Sequence, residues 1–145
     1  MKALLKTTVP LLFILLFTYA AASKLLDFDR FRLQLYLQPF PHGLSDILLY
    51  LIPVTELLLA LALCFNRSRF IGLILSTSLM AVFTAYISLV LQHYWGDVPC
   101  SCGGILSHMS WTTHLAFNWV LVLAGVTGIA LHLADKKQKQ LTSTL

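Results

Sequence analysis

Four stretches of the chain are apolar over the length of a bilayer-crossing helix, and short polar segments separate them. The first runs from Thr7 to Ser23, the second from Leu44 to Phe65, the third from Phe70 to Gln92 and the fourth from Thr113 to Ala134. A helix of roughly 20 residues crosses the hydrocarbon core of a membrane, so the last three are long enough and the first sits at the lower limit. Between the first and second lies "KLLDFDRFRLQLYLQPFPHG", in which Leu25, Phe28, Phe31 and Leu35 recur at helical spacing among Asp and Arg residues. This pattern predicts an amphipathic segment at the membrane surface, ending at Pro39 and Pro41, which cannot continue a helix. "NRSR" reads as a tight turn and "DKKQKQLTSTL" as a polar tail. The expected architecture is an all-α, four-transmembrane-helix bundle in one domain spanning residues 1–145, with an amphipathic interfacial segment in its first external loop.

Composition supports that reading. Of the 145 residues 58% are hydrophobic and 11% charged, against about a quarter charged in soluble domains. The net charge of +4 is not gathered into a basic stripe interleaved with aromatics, so nucleic acid is not an expected partner; the lipid bilayer is. Lys2, Lys6, Arg67, Arg69, Lys136, Lys137 and Lys139 fall on one side of the four-span arrangement, and Lys24, Arg30 and Arg32 on the other. Seven against three places both termini in the cytoplasm. The loop from His93 to Thr112 then faces the periplasm, where disulfides persist. Lys2, Lys6, the apolar run and "AAAS" also resemble a secretory signal with its cleavage site. The expectation is a retained helix, and cleavage would leave the remaining topology unchanged.

The external loop contains "VPCSCGGILSHMSW". A disulfide between Cys100 and Cys102 would close a small ring with little freedom to reach relaxed geometry, and strained, exposed disulfides are the labile, exchanging ones. Gly103 and Gly104 relax the backbone there and admit a partner's thiol. A structural staple would gain little from so short a loop. Three readings stay open: a redox pair, which leads, a local staple, and a copper or zinc site drawing on His93, Asp97, His108 and Met109. No metal is assigned. The third cysteine, Cys64, lies near the opposite membrane face and is expected to be a small buried packing residue.

Trp111, His114 and Asn118 are spaced i, i+3 and i+7, so they share one face at the outer end of the fourth helix. An imidazole near a cysteine lowers the thiol pKa, which makes His114 a candidate to tune a thiolate. Helix–helix hydrogen bonding is the alternative for His114 and Asn118, and interfacial anchoring for Trp111. Glu56, three residues after Pro53, is a carboxyl near the middle of a membrane helix, a functional-site candidate by default. A Ser, Thr, Tyr or His on a facing helix, or the carbonyl freed by Pro53, is its expected partner. Ala124, Gly125 and Gly128 predict a close helix–helix approach, and Ser76, Ser78, Thr84 and Ser88 add small polar positions on the third helix.

With these residues assembled, the chain resembles the MauE/DoxX-type family of redox-associated membrane proteins. The resemblance runs through "FTYAAASKLLDFDRFRLQL", "IPVTELLLALAL" and "GLILSTSLMAVFTAYI", and is most specific in "VPCSCGGILSHMSWTTHLAFN". It implies a four-helix protein of the bacterial inner membrane. It further implies support of periplasmic thiol–disulfide exchange, as in maturation of the disulfide-rich small subunit of methylamine dehydrogenase beside a thioredoxin-like partner. Cys100, Cys102 and the two glycines carry over residue by residue, while His114, Asn118 and Glu56 match the pattern without an assigned role. Quinone-linked disulfide generators use two cysteine pairs, whereas this chain has a single external pair. A second pair must come from a partner, or electrons pass directly through this one. The expectation is therefore a thiol–disulfide oxidoreductase or, alternatively, a non-enzymatic assembly subunit with a structural Cys-Ser-Cys bridge. No cofactor is demanded by the sequence. A quinone near the outer helix ends is a candidate, and a periplasmic thioredoxin-like protein or disulfide-containing client is the expected partner.

Overall fold

In the computed structural model, which describes residues 2–94 and 110–143, every regular element among the described residues is a helix. The order is α1 (Lys2–Leu26), α2 (Phe28–Tyr36), α3 (His42–Cys64), α4 (Arg69–Leu91) and α5 (Trp111–Ser143). Four are long and apolar enough to cross a membrane: Leu4–Leu26, His42–Cys64, Arg69–Leu91 and Trp111–Gln138. The shortest has 23 residues, about 35 Å at 1.5 Å per residue, which exceeds a hydrocarbon core of about 30 Å. Leu12, Leu15, Leu58, Ile71, Leu75 and Leu123 are all exposed on the protein surface. Acyl chains, not water, are the solvent in which that surface is stable.

The first span is longer than its apolar pattern suggests, reaching Leu26 instead of Ser23. It also belongs to the core, contributing Val9, Phe13 and Phe17, with Phe13 and Phe17 in a stacked pair 5.9 Å apart. Leu59, Leu63, Leu73, Met80 and Leu121 complete that cluster from the other spans. The close approach expected from the small residues of the last helix is present. A Cβ added to Gly125 would lie 2.3 Å from Thr77 Oγ1, and one added to Gly128 would lie 3.2 Å from both Val9 and Leu73 side chains. Ser76, Thr77 and Thr84 are buried on α4, and the two threonine hydroxyls each donate to the carbonyl four residues back.

At this tightly packed end Lys6 pairs with Asp135, and Phe70 stacks on His132 at 4.6 Å, so the start of α1, the start of α4 and the end of α5 lie together. The opposite end holds the end of α1, the end of α4 and the start of α5. The amphipathic segment is there too, as the nine-residue helix α2. Its Phe31 and Leu35 are buried against Leu49 of α3, while Leu33 and Leu37 on its other side are exposed. The helix stops at Tyr36, three residues before the first of the two prolines, because the residue preceding a proline is pushed out of helical geometry.

One expectation is overturned here. Cys64, the last residue of α3, is exposed and not buried in packing. Cysteine's preference for the interior is a preference for leaving water, and a lipid-facing position at a helix end satisfies it equally well.

Candidate functional site

The end of the bundle that carries α2 is hollow. A cavity of about 470 Å³ is lined by all five helices and is overwhelmingly apolar, with a small polar cluster on its wall. Roughly 300–1,000 Å³ is the range of small-molecule sites, which typically pair apolar walls with a few placed polar groups. The cluster comprises Lys24 from α1, Glu56 from α3, and His114 and Asn118 from α5. Gln38 joins it from the turn after α2, and Tyr86 from α4.

Lys24 and Glu56 form its centre. Lys24 Nζ donates to Glu56 Oε1 at 2.8 Å, and the residues are only 6% and 3% exposed. Nζ also donates to the Ala20 carbonyl at 3.2 Å, one helical turn back along α1. A lysine close to a membrane-helix end ordinarily extends outward to keep its ammonium in water. Here the stem runs the other way, along the direction in which helical side chains lean, and its charge is met by Glu56. The face of the Phe31 ring lies 5.8 Å from the same nitrogen. Glu56 Oε2 is buried and has no hydrogen-bond partner among the described residues. The partner of Glu56 is thus a lysine of the first helix, in place of the hydroxyl, imidazole or Pro53-freed carbonyl that the sequence suggested.

The α5 face is set by its N-terminus. Ser110 caps the helix: its Oγ accepts from the Thr113 amide at 3.3 Å, and its carbonyl accepts from the His114 amide at 3.0 Å. With α5 phased in this way, Trp111, His114 and Asn118 all line the cavity, His114 and Asn118 buried and Trp111 half-buried. Elsewhere in the lining Tyr86 donates to Gln38 Oε1, while Gln38 Nε2 donates to the Gln34 carbonyl at 3.0 Å. This fastens the turn after α2 to α4, and Phe40 packs on the Tyr86 ring at 5.7 Å.

Of the residues singled out in the sequence, Glu56, Trp111, His114 and Asn118 are brought to one cavity. Cys100, Cys102, Gly103 and Gly104 lie outside the described residues, as do Asp97, His108 and Met109 of the metal reading. His93 is described, and it terminates α4. It adopts φ 52°, its amide donates to Val90, and the Tyr94 amide donates to Leu89. Those two bonds are the Schellman pattern that closes a helix C-terminus. Lys24, Gln38 and Tyr86 were not anticipated. For Lys24 a signal existed, because an intramembrane carboxyl calls for a counter-charge and Lys24 is the basic residue in the last turn of the first span. For Gln38 and Tyr86 the sequence carries no comparable signal.

Neither the curated proteins nor the solved structures contain a match to this chain. The profile of the family described as methylamine utilisation protein MauE matches residues 1–131, which takes in the first three spans, the Cys-Ser-Cys loop and most of the fourth span. A multi-pass membrane protein with this profile over nearly its whole length belongs to the MauE family.

Proposed function

We propose that this MauE-family membrane protein supports thiol–disulfide exchange through Cys100 and Cys102, which cycle between dithiol and disulfide with a thioredoxin-like or disulfide-containing partner. One observation carries the reading. The buried polar cluster lies at the end of the bundle where α4 stops and α5 begins, and the chain joining those two helices is the segment that contains both cysteines. His114, one turn into α5 and part of the cavity lining, is the group that would favour a thiolate.

The orientation belongs to the same proposal. The protein resides in the bacterial inner membrane with both termini cytoplasmic and the cysteine loop periplasmic. Lys24, counted from sequence as a charge of the first external loop, is drawn into the bundle by Glu56. That leaves Arg30 and Arg32 as the basic residues of the external side, against seven on the other. The bias that sets topology is correspondingly steeper. In the methylamine-utilisation setting that the family description carries, the client would be a periplasmic protein matured by disulfide formation.

The test is a trap. Cys100→Ser or Cys102→Ser should accumulate a mixed disulfide with its partner in cells, separable on non-reducing gels and lost on reduction. If neither variant traps a partner and the double variant supports full function, the proposal fails. It also fails if alkylation of fresh cells finds the pair always oxidised, even when oxidant is withheld, since that is the behaviour of a staple.

A further inference from the structure

We infer that the cavity is the binding site of an isoprenoid quinone, and that this quinone is the electron acceptor for the Cys100–Cys102 dithiol. The inference deepens the thiol–disulfide reading and rests on it for the redox step, but the binding site stands on separate observations.

The ligand class follows from the walls. Lys24 and Glu56 cancel in charge, so an anionic headgroup entering the cavity would meet a buried carboxylate beside the ammonium, and a cation would meet the converse. A neutral ligand is favoured. An ammonium has three N–H donors, and two are taken by Ala20 and Glu56. The third has an aromatic face beside it and is available to a carbonyl acceptor. His114 and Asn118 are further polar residues of the cavity lining. Phe31, Phe83 and Trp111 supply flat apolar surface that suits a ring. Leu51 of α3 and Val82 of α4 line the cavity and are also exposed on the lipid-facing surface, so a membrane-borne tail has a way out into the bilayer. A flat, neutral ring with carbonyl acceptors and an apolar tail is a quinone. A phospholipid acyl chain would use the walls and leave the Lys24 donor unanswered, whereas a quinone carbonyl accepts from it, and after reduction a quinol hydroxyl can donate to Glu56 Oε2, which has no partner among the described residues.

The redox step balances without another reactant. Cys100 and Cys102 each lose an S–H bond and together form one S–S bond, releasing two electrons and two protons. The quinone takes up both pairs, its two carbonyl oxygens becoming hydroxyls of the quinol. A partner dithiol then restores the Cys100–Cys102 thiols by exchange and leaves as a disulfide.

Purified protein in lipid nanodiscs, with Cys64→Ala as background, is titrated with ubiquinone-1 and followed by tryptophan fluorescence. Saturable binding is expected. Val82→Trp, which narrows the lipid-facing rim without touching the core, should weaken it at least about tenfold, and Lys24→Met/Glu56→Leu should do the same. In a single turnover, pre-reduced protein freed of reductant should yield one quinol per chain with loss of both loop thiols. Absence of saturable binding overturns the inference, as does binding indifferent to both variants. The two readings separate in the Cys100→Ser/Cys102→Ser variant, which should bind normally and form no quinol. Saturable binding by the pre-reduced protein with its loop thiols retained and no quinol formed sinks the redox step and leaves the quinone site. Mixed disulfides formed by a protein that binds no quinone sink the quinone inference alone.

Discussion

The Lys24–Glu56 pair makes the sharpest demand on stability, and a double-mutant cycle reads it directly. At 2.8 Å the attraction between unit charges is about 6 kcal/mol for an effective dielectric near 20, and desolvation of both groups consumes much of it. Removing one partner exposes the unrepaid part, about 3–5 kcal/mol. The two single variants should not be equal. Without Lys24, the short Glu56 side chain has no route to water and is left as a buried carboxyl without its counter-charge. Without Glu56, Lys24 is in the last turn of α1 on a flexible four-carbon stem and can swing outward to the interface.

Lys24→Met should therefore destabilise by about 3–4 kcal/mol, and Glu56→Leu by roughly half as much because of that escape. The double variant Lys24→Met/Glu56→Leu should return to within about 1 kcal/mol of the parent, since apolar replacements of both partners remove the desolvation cost along with the attraction. Reversible unfolding in mixed micelles, followed by helical circular dichroism, measures all three. Additive single effects would refute the reasoning.

Three further outcomes are expected. Gly125→Ala places a methyl 2.3 Å from Thr77 Oγ1 and should cost about 1–3 kcal/mol as overpacking, with Thr77→Ala recovering part of it in the same unfolding assay. His93→Gly should raise stability by about 0.5–1 kcal/mol, because glycine takes the left-handed conformation at the end of α4 without a Cβ penalty. The hydrogen bond from Tyr36 to Asp46 holds the phenol above its ordinary pKa, with the Asp46 charge adding to it against Arg32. The neutral phenol is thus favoured in the fold, and the α2–α3 contact it makes should persist below about pH 10 and weaken as pH rises through the raised value. A phenolate absorbance titration should show this late transition, and Tyr36→Phe should delete it.

How far the sequence could be read depended on what each pattern encodes. Apolar runs encode spans, so all four were legible, with ends misplaced by a few residues. One of those shifts mattered: the extension of α1 from Ser23 to Leu26 turns Lys24 from a loop charge into a helical residue whose side chain leans inward. Helical spacing marked Phe31 and Leu35 as one apolar face, yet periodicity cannot distinguish lipid from protein as what that face meets, and it meets Leu49. Glu56 was legible as a misfit, and the i, i+3, i+7 face of Trp111, His114 and Asn118 as a cluster. That both line the same cavity was not, because it depends on the packing of α3 and α5 around α1 and α2. Cys64 was misread by applying a water-based burial preference at a surface that lipid covers.

The two ends of the bundle divide its tasks. Gly125 and Gly128 let α5 close onto α4 and α1 at the end marked by Lys6 and Asp135, where the phenylalanine and leucine core is continuous. Gly72 seats against Ala62 and Leu63 at the same end. None of these glycines lines the cavity; there, bulky rings and the strut of α2, Gln38 and Tyr86 hold the helices apart. Dispersion packing and lipid entropy at the closed end stabilise the assembly, so the open end can carry a desolvated ion pair, a carboxylate oxygen without a partner among the described residues and a cavity without unfolding the rest. Damage should divide the same way. Substitutions at Gly125 or Gly128 should lower the yield of folded protein while leaving the ligand affinity of the surviving fraction intact. Substitutions at Val82 should change affinity and leave the yield unchanged. A Gly128→Leu protein that folds fully and loses only binding would show that the two ends are one cooperative site, and the division drawn here would be wrong.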